Sequence, residues 1–403
     1  ISCSLVGSEM CIRDRLTTGF TVLSSQRYGA GDYEGLRKSV GNAFVLGLIV
    51  TVIMTIASLL GMDWLLRIMQ TPDDIFDMSK EYIVIICVGI IFTTLYNLTA
   101  SILRAVGNSK VPLYFLILSA LLNVVLDLFF IMVLSWGVAG AAIATVISQG
   151  VSGILCLVFL LTKVDILKLK KEHFKLDPIG AKIQLNIGIP MALQFSITAI
   201  GTMILQAALN LLGSTVVASY TAACKVEQLV TQAFQAMGMT MATYSAQNWG
   251  IHSTDRIRKG QKTAMVLSCG YAVVIYFVVL AILPFMTSLF FDGDLTTVIG
   301  YVREYIQICG LCFIPLGMIF IYRNVLQGCG YALFPTLGGV VELISRSVFA
   351  FMAARAMSYT GICVANASAW VTAGIFLWIA YLFIMKDILK KDKERELQKK
   401  ADI

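Results

Sequence analysis

The sequence predicts an all-α polytopic membrane protein made of two pseudo-symmetric helical bundles. Three features point there: the composition, a series of charge-free runs, and an internal repeat. Of 403 residues, 58% are hydrophobic and only 14% charged. A soluble core of this length cannot hide so much apolar surface, so the expected solvent is a bilayer. The net charge of +7 gathers in a few loops and the tail. That pattern suits loops facing anionic lipid and excludes a nucleic-acid footprint.

Taken in order, runs without Asp, Glu, Lys or Arg predict helices near 41–69, 80–105, 112–134, 138–162, 186–212, 216–246, 261–289, 300–327, 333–357 and 361–385. The long run Ile183–Cys224 is broken at Leu212-Gly213-Ser214, and Leu128–Thr162 near Ser135-Trp136-Gly137. An apolar scrap, Leu16–Ser25, is too short to cross. Basic residues alternate with the spans. Arg27, Arg37 and Lys38, then Arg104 and Lys110, the stretch Lys163 to Lys182, Arg256 to Lys262, and the tail from Lys386 fall on one side. The opposite loops carry Asp73, Asp74 and Asp77, or Asp292 and Asp294. The basic side, with the C-terminus, is therefore expected in the cytoplasm.

The repeat has an offset of about 222 residues. Ser24-Ser25-Gln26-Arg27-Tyr28-Gly29 matches Ser245-Ala246-Gln247-Asn248-Trp249-Gly250, and Arg37-Lys38 matches Arg258-Lys259. Glu81-Tyr82-Ile83 matches Glu304-Tyr305-Ile306, and Gly107 with Pro112 matches Gly330 with Pro335. Six helices separate the copies of the Gln-x-aromatic-Gly segment, so the halves are parallel six-helix repeats. On that reading the first helix and most of the second are missing. Residues 1–15 occupy the second helix's place but carry Glu9, Arg13, Asp14 and Arg15, each costing about 2.5–3.5 kcal/mol at helix-centre depth. They are expected to be a non-native or artefactual N-terminus. Residues 16–163 then form an N-lobe, 164–182 a basic cytoplasmic linker, 183–386 a C-lobe and 387–403 a charged cytoplasmic tail.

These segments resemble those of multidrug and toxic compound extrusion (MATE) exporters. Val22 to Asp32, with Gln26, Gly29, Ala30 and Gly31, resembles their Q-x-x-G-A-G-D signature. Leu103 to Ser109 resembles their R-a-x-G-d/n-t/s loop, and Gly137 to Thr145 their G-x-x-G-A-A-x-A-T helix start. The resemblance implies two six-helix lobes, a central cleft and alternating access. It implies export of small organic, often cationic compounds, driven by entry of Na⁺ or H⁺, in a bacterial inner membrane. A monomer is expected. The family's acidic residue on the first helix has no counterpart here. The helix 186–212 contains no acid, nor does 305–322.

A transporter needs a site whose affinity differs between two states, and intramembrane charges are the first candidates. Glu227 lies well inside its helix; Lys225, two positions away, does not share its face. Glu342 and Arg346, at i and i+4, can pair. Asn123 and Asp127 have the same spacing near the outer end of theirs. Gln194, Thr198, Gln206 and Asn210 form a drifting polar stripe on 186–212, suited to a wet cavity or to interhelical hydrogen bonds. Pro190 could kink that helix. Gln26 with Gly29 and Gln247 with Gly250 are candidate gate residues or plain helix ends.

Eight of the ten cysteines fall in or beside apolar segments and are expected to pack. Cys309 and Cys312 form a C-x-x-C with no second pair, and His173 and His252 sit in charged loops. Neither a metal nor a cofactor is expected. A membrane-embedded enzyme would need clustered His, Asp or Glu at a membrane face, and no such cluster is visible. The alternative within transport is a flippase for lipid-linked oligosaccharide or peptidoglycan precursors. It would need a wide basic cavity, and the spans hold few cations, mainly Lys225 and Arg346.

Overall fold

The computed structural model of the protein describes residues 2–68, 73–290 and 295–401. Its helices run in the order α1 (Ser2–Gly29), α2 (Tyr33–Ile68), α3 (Asp73–Ala105), α4 (Lys110–Leu128), α5 (Gly137–Lys163), α6 (Pro178–Asn210), α7 (Ser214–Gly250), α8 (Thr254–Ser288), α9 (Leu295–Leu311), α10 (Phe313–Gly328), α11 (Leu333–Ala356) and α12 (Tyr359–Ala401). No strand occurs among the described residues. Asp292 and Asp294 of the expected outer loop lie outside them, as do the side chains of 2–14 and 391–401.

Among the described residues, eight helices are long and apolar enough to cross a membrane. They display large apolar side chains such as Leu60, Val266 and Phe383, all at least 70% exposed. Such surfaces would be a liability in water but meet acyl chains in a bilayer. The span expected at 300–327 is in fact two helices, α9 and α10, bent by 52°. Pro315 explains the break: its ring nitrogen cannot donate to the preceding turn, and proline is tolerated only in the first turn of the helix that follows. α7 is not among the eight, because Thr, Gln, Ser, Lys225 and Glu227 interrupt its apolar face.

Three details go beyond the expected helices. The scrap Leu16–Ser25 is part of the 28-residue α1. α4 ends in a π-helical turn, Phe129–Val133, before the break at Ser135. The basic linker contains two short 3₁₀ turns, Asp165–Leu167 and Lys171–Phe174, seated on α2. Leu167 is fully buried and His173 nearly so. His173 Nδ1 accepts from the Lys170 amide at 2.9 Å, and its Nε2 lies 3.2 Å from Glu34 Oε1. Arg37 Nε donates to the Ile166 carbonyl, and Asn42 exchanges hydrogen bonds with the Asp177 backbone.

The chain divides into two compact units, Ile1–Ala192 and Leu193–Ile403, the division falling inside α6. The first packs around Phe20, Leu36, Ile102, Leu103 and Leu160. The second packs around Phe234, Tyr305, Phe313, Cys309 and Leu377. Their turns repeat. Gly31 and His252, 221 residues apart, are both left-handed, with φ of 72° and 54°. In each, the turn amide bonds back three residues (Gly31 to Tyr28 O, His252 to Trp249 O). The next amide bonds back five (Asp32 to Arg27 O, Ser253 to Asn248 O). This is the paired-bond C-cap that satisfies the last carbonyls of a helix. Gly107 and Gly330 repeat it with φ of 87° and 89°. Ser135 and Met357, 222 apart, are a third left-handed pair. The two bundles are thus pseudo-symmetric down to backbone conformation, as the sequence repeat predicts.

Candidate functional site

In the second unit, α7, α9 and α12 bring Glu227, Tyr305 and Asn366 together. Tyr220, Cys224 and Glu227 fall on one face of α7 by their i, i+4, i+7 spacing. The fully buried Tyr305 of α9 donates its hydroxyl to Glu227 Oε2 through a short hydrogen bond. Asn366 Nδ2 of α12 donates to the same Tyr305 oxygen at 2.8 Å. Tyr220 packs edge-on against Tyr305 with ring centroids 5.3 Å apart. Lys225 is exposed and points elsewhere. A carboxylate held by one phenol, itself held by one amide, can exchange a proton or cation without dismantling the packing around it.

A second network joins α6, α10 and α11. Arg346 Nη2 donates to Glu342 Oε1 at 2.7 Å, and Arg323 Nη2 lies 3.5 Å from Glu342 Oε2. The Gln194 amide is oriented with its oxygen toward Arg323, accepting from Nε at 2.7 Å and Nη1 at 2.8 Å. Its nitrogen lies 3.1 Å from the Gln327 amide. Arg346 is only 2% exposed, and among the described residues its Nε and Nη1 have no hydrogen-bond partner. Gly201 allows this approach: a Cβ there would come within 3.2 Å of Arg346 Nη1. Burying two guanidinium groups around one carboxylate is costly, so each contact that offsets the charge matters.

The remaining sequence candidates are dispersed. Thr198 donates to the carbonyl of Gln194 in its own helix, while Gln206 donates to Asn210 at an exposed end of α6. The polar stripe is therefore divided between a buried network and a helix end. In the first unit, Asn123 reaches Thr145 Oγ1 at 3.4 Å. Asp127 is half-buried, and its Oδ1 has no partner among the described residues. Gln26 and Gln247 lie in the last turns of α1 and α7, which end at Gly29 and Gly250. The left-handed caps are Gly31 and His252 rather than those two glycines. Asp32, from the same signature, caps α2 through the Gly35 amide at 2.8 Å and pairs with Arg27 at 2.8 Å. Pro190 sits inside an uninterrupted α6. Cys309 is buried with its thiol toward the Cys363 carbonyl at 3.6 Å, a packing contact.

Sequence reasoning missed Tyr305, Asn366 and Arg323. Tyr305 was visible only as a repeat match to Tyr82. Arg323 falls inside the helix expected at 300–327 and inside α10, but nothing in its local sequence marks Glu342 or Gln194 as its partners. The tally of intramembrane cations therefore rises by one over Lys225 and Arg346.

A family model described as MatE matches residues 15–129 and 190–352. Among curated proteins, the chain is 31% identical over 242 residues to the probable multidrug resistance protein YpnP of Bacillus subtilis. That alignment spans 59% of this chain and just over half, 53%, of that protein. It is 25% identical to the probable multidrug resistance protein YoeA of the same organism, over 94% of this chain and 83% of the other. Among solved structures, it resembles an outward-facing conformation of a multidrug resistance MATE family transporter of the MOP superfamily. The TM-score is 0.90 at 20% identity, covering 95% of this chain and 86% of that one. A MATE crystal structure in the bent conformation matches at 0.88 and 21%, covering 94% and 85%. With the MatE model matching well over half of its residues, in both units, the chain belongs to the MATE family of multidrug transporters.

Proposed function

We propose that the protein is a secondary active exporter of small organic compounds that works by alternating access, with entry of Na⁺ or H⁺ through the second unit as the driving step. The observation that carries this reading is the Glu227–Tyr305–Asn366 relay, in which one carboxylate ties together three helices. When Glu227 gains a proton or a cation, the Tyr305 hydroxyl must give up or share its acceptor. The contacts that α7 makes with α9 then change relative to those of α9 with α12. A bound ion thereby has different contacts in two arrangements, which is the requirement for coupling. Na⁺ would find oxygen donors in Glu227, Tyr305 and the Asn366 amide, the ligand type that hard cations prefer. The basic loops and the C-terminus lie on the cytoplasmic side in this reading, and the protein acts as a monomer. The flippase alternative gains no support, because Arg323 and Arg346 are engaged with Glu342 and Gln194 rather than open to a cavity.

The test uses proteoliposomes loaded with a fluorescent organic cation, with an imposed Na⁺ or H⁺ gradient. The expected result is gradient-driven dye movement that Glu227→Gln abolishes while the protein remains folded. Full coupling in Glu227→Gln would remove the relay from the mechanism.

A further inference from the structure

The second unit contains a groove of about 1140 Å³ between the start of α8 and the later part of α12. Neither network described above takes part in it. Its walls are two stripes at helical i, i+4 spacing. On α8 the stripe reads Arg258, Lys262, Val266; on α12 it reads Lys390, Lys386, Leu382, Trp378. Both pass from cation to apolar side chain within four residues, about 6 Å of helix rise. Both point the same way, since one helix begins and the other ends at this membrane face.

We infer that this groove binds the headgroup of an anionic phospholipid, with its acyl chains against Val266, Leu382 and Phe383. Four cations, Arg258, Lys262, Lys386 and Lys390, face one carboxylate, Asp387, so the shallow end carries an excess of positive charge. All four cations are exposed and can turn toward a phosphate. The deep end is apolar and open, with Val266 at 72% and Phe383 at 70% exposure. Its floor is the tilted ring pair Tyr322 and Tyr381, centroids 5.0 Å apart with the rings 43° from parallel. Trp378, 43% exposed, lies one helical turn deeper than Leu382, at the depth of the acyl chains. A free phosphate would satisfy only the shallow end. A phospholipid satisfies both ends, and basic pockets between helices at a membrane face are where anionic headgroups bind.

Trp378 provides the readout. The purified protein is placed in phosphatidylcholine bilayers doped with equal fractions of dibrominated phosphatidylglycerol or dibrominated phosphatidylcholine. The Trp378 signal is taken as the difference from Trp378→Phe. Stronger quenching by the anionic lipid is expected. Relative affinity should fall about fivefold for each cation removed along a series ending in Arg258→Gln, Lys262→Gln, Lys386→Gln and Lys390→Gln combined. The charge-retaining Lys386→Arg should keep the preference, which separates loss of charge from loss of fold. Equal quenching by both lipids, or a preference surviving in the fourfold variant, would overturn the inference. Displacement by millimolar inorganic phosphate would overturn the assignment to lipid. The result is independent of whether Glu227 couples transport.

Discussion

The two units share a backbone plan but not their chemistry. Aligning Gly107 with Gly330 and Pro112 with Pro335 places Ser119 opposite Glu342, Asn123 opposite Arg346 and Ala100 opposite Arg323. Where the second unit holds an ion cluster, the first holds a serine bonded to the Ser148 carbonyl at 2.8 Å and an asparagine reaching a threonine. Aligning Gly137 with Gly361 places Ala142 opposite Asn366. Duplicated turns preserve the helical framework, because a left-handed cap is a steric requirement on both copies. Ionisable side chains were free to diverge, and among the described residues the buried ion pairs of the transmembrane region are found in the second copy.

The comparison would be broken most forcefully at Glu342. Replacing it with alanine leaves Arg323 and Arg346 buried without their carboxylate, and a loss of about 3–5 kcal/mol is expected. Ser119→Ala, at the matching position, should cost no more than about 1 kcal/mol. Thermal melting of the two purified variants checks this, and equal losses would refute the asymmetry. Next in size is Tyr305→Phe, which strips a buried partner from both Glu227 and Asn366. A loss of about 1–3 kcal/mol is expected, together with weakened ion coupling in the dye assay. Its repeat mate, Tyr82→Phe, should leave coupling intact.

The framework itself should respond alike in both units. Gly107→Ala and Gly330→Ala each force a Cβ into a left-handed turn and should each cost about 1–2 kcal/mol. His252→Gly should instead stabilise by up to about 1 kcal/mol, since its φ is 54°. Opposite signs for the two alanine variants would show that the turns are only superficially equivalent. The smallest effect is expected at the exposed Arg27–Asp32 pair, where Arg27→Ala should cost under about 1 kcal/mol. Thermal melting at low and high salt resolves it, the difference from wild type shrinking at high salt.

Much of the framework was readable before any coordinates. Charge-free runs locate the spans because the bilayer penalises charge wherever it is unpaired, and the repeat follows from glycine positions that sterics protect. The same rule says little of Arg323: it falls within the expected span, but Glu342 and Gln194, which offset its charge, lie on other helices. Glu342 with Arg346 was legible because one helix carries both partners. Glu227 was legible as a stranded acid, but its partners were not. Tyr305 and Asn366 reach it from helices 78 and 139 positions away in the chain, and no local spacing encodes such a meeting. The seated linker was missed for a related reason. His173 and Leu167 stand among lysines, and only the docked α2 surface shows that they are buried.

The Arg323–Glu342 contact also bears on biosynthesis. α10 is 16 residues long and carries a guanidinium group whose carboxylate belongs to the helix made after it. Entering hydrocarbon alone, that arginine would cost about 2.5–3.5 kcal/mol. Glu342 on its own would be poorly tolerated too, but it emerges four residues ahead of Arg346. The ribosome therefore delivers a debt followed by its settlement, and α10 should wait at the insertion machinery until α11 arrives, the two entering as a hairpin.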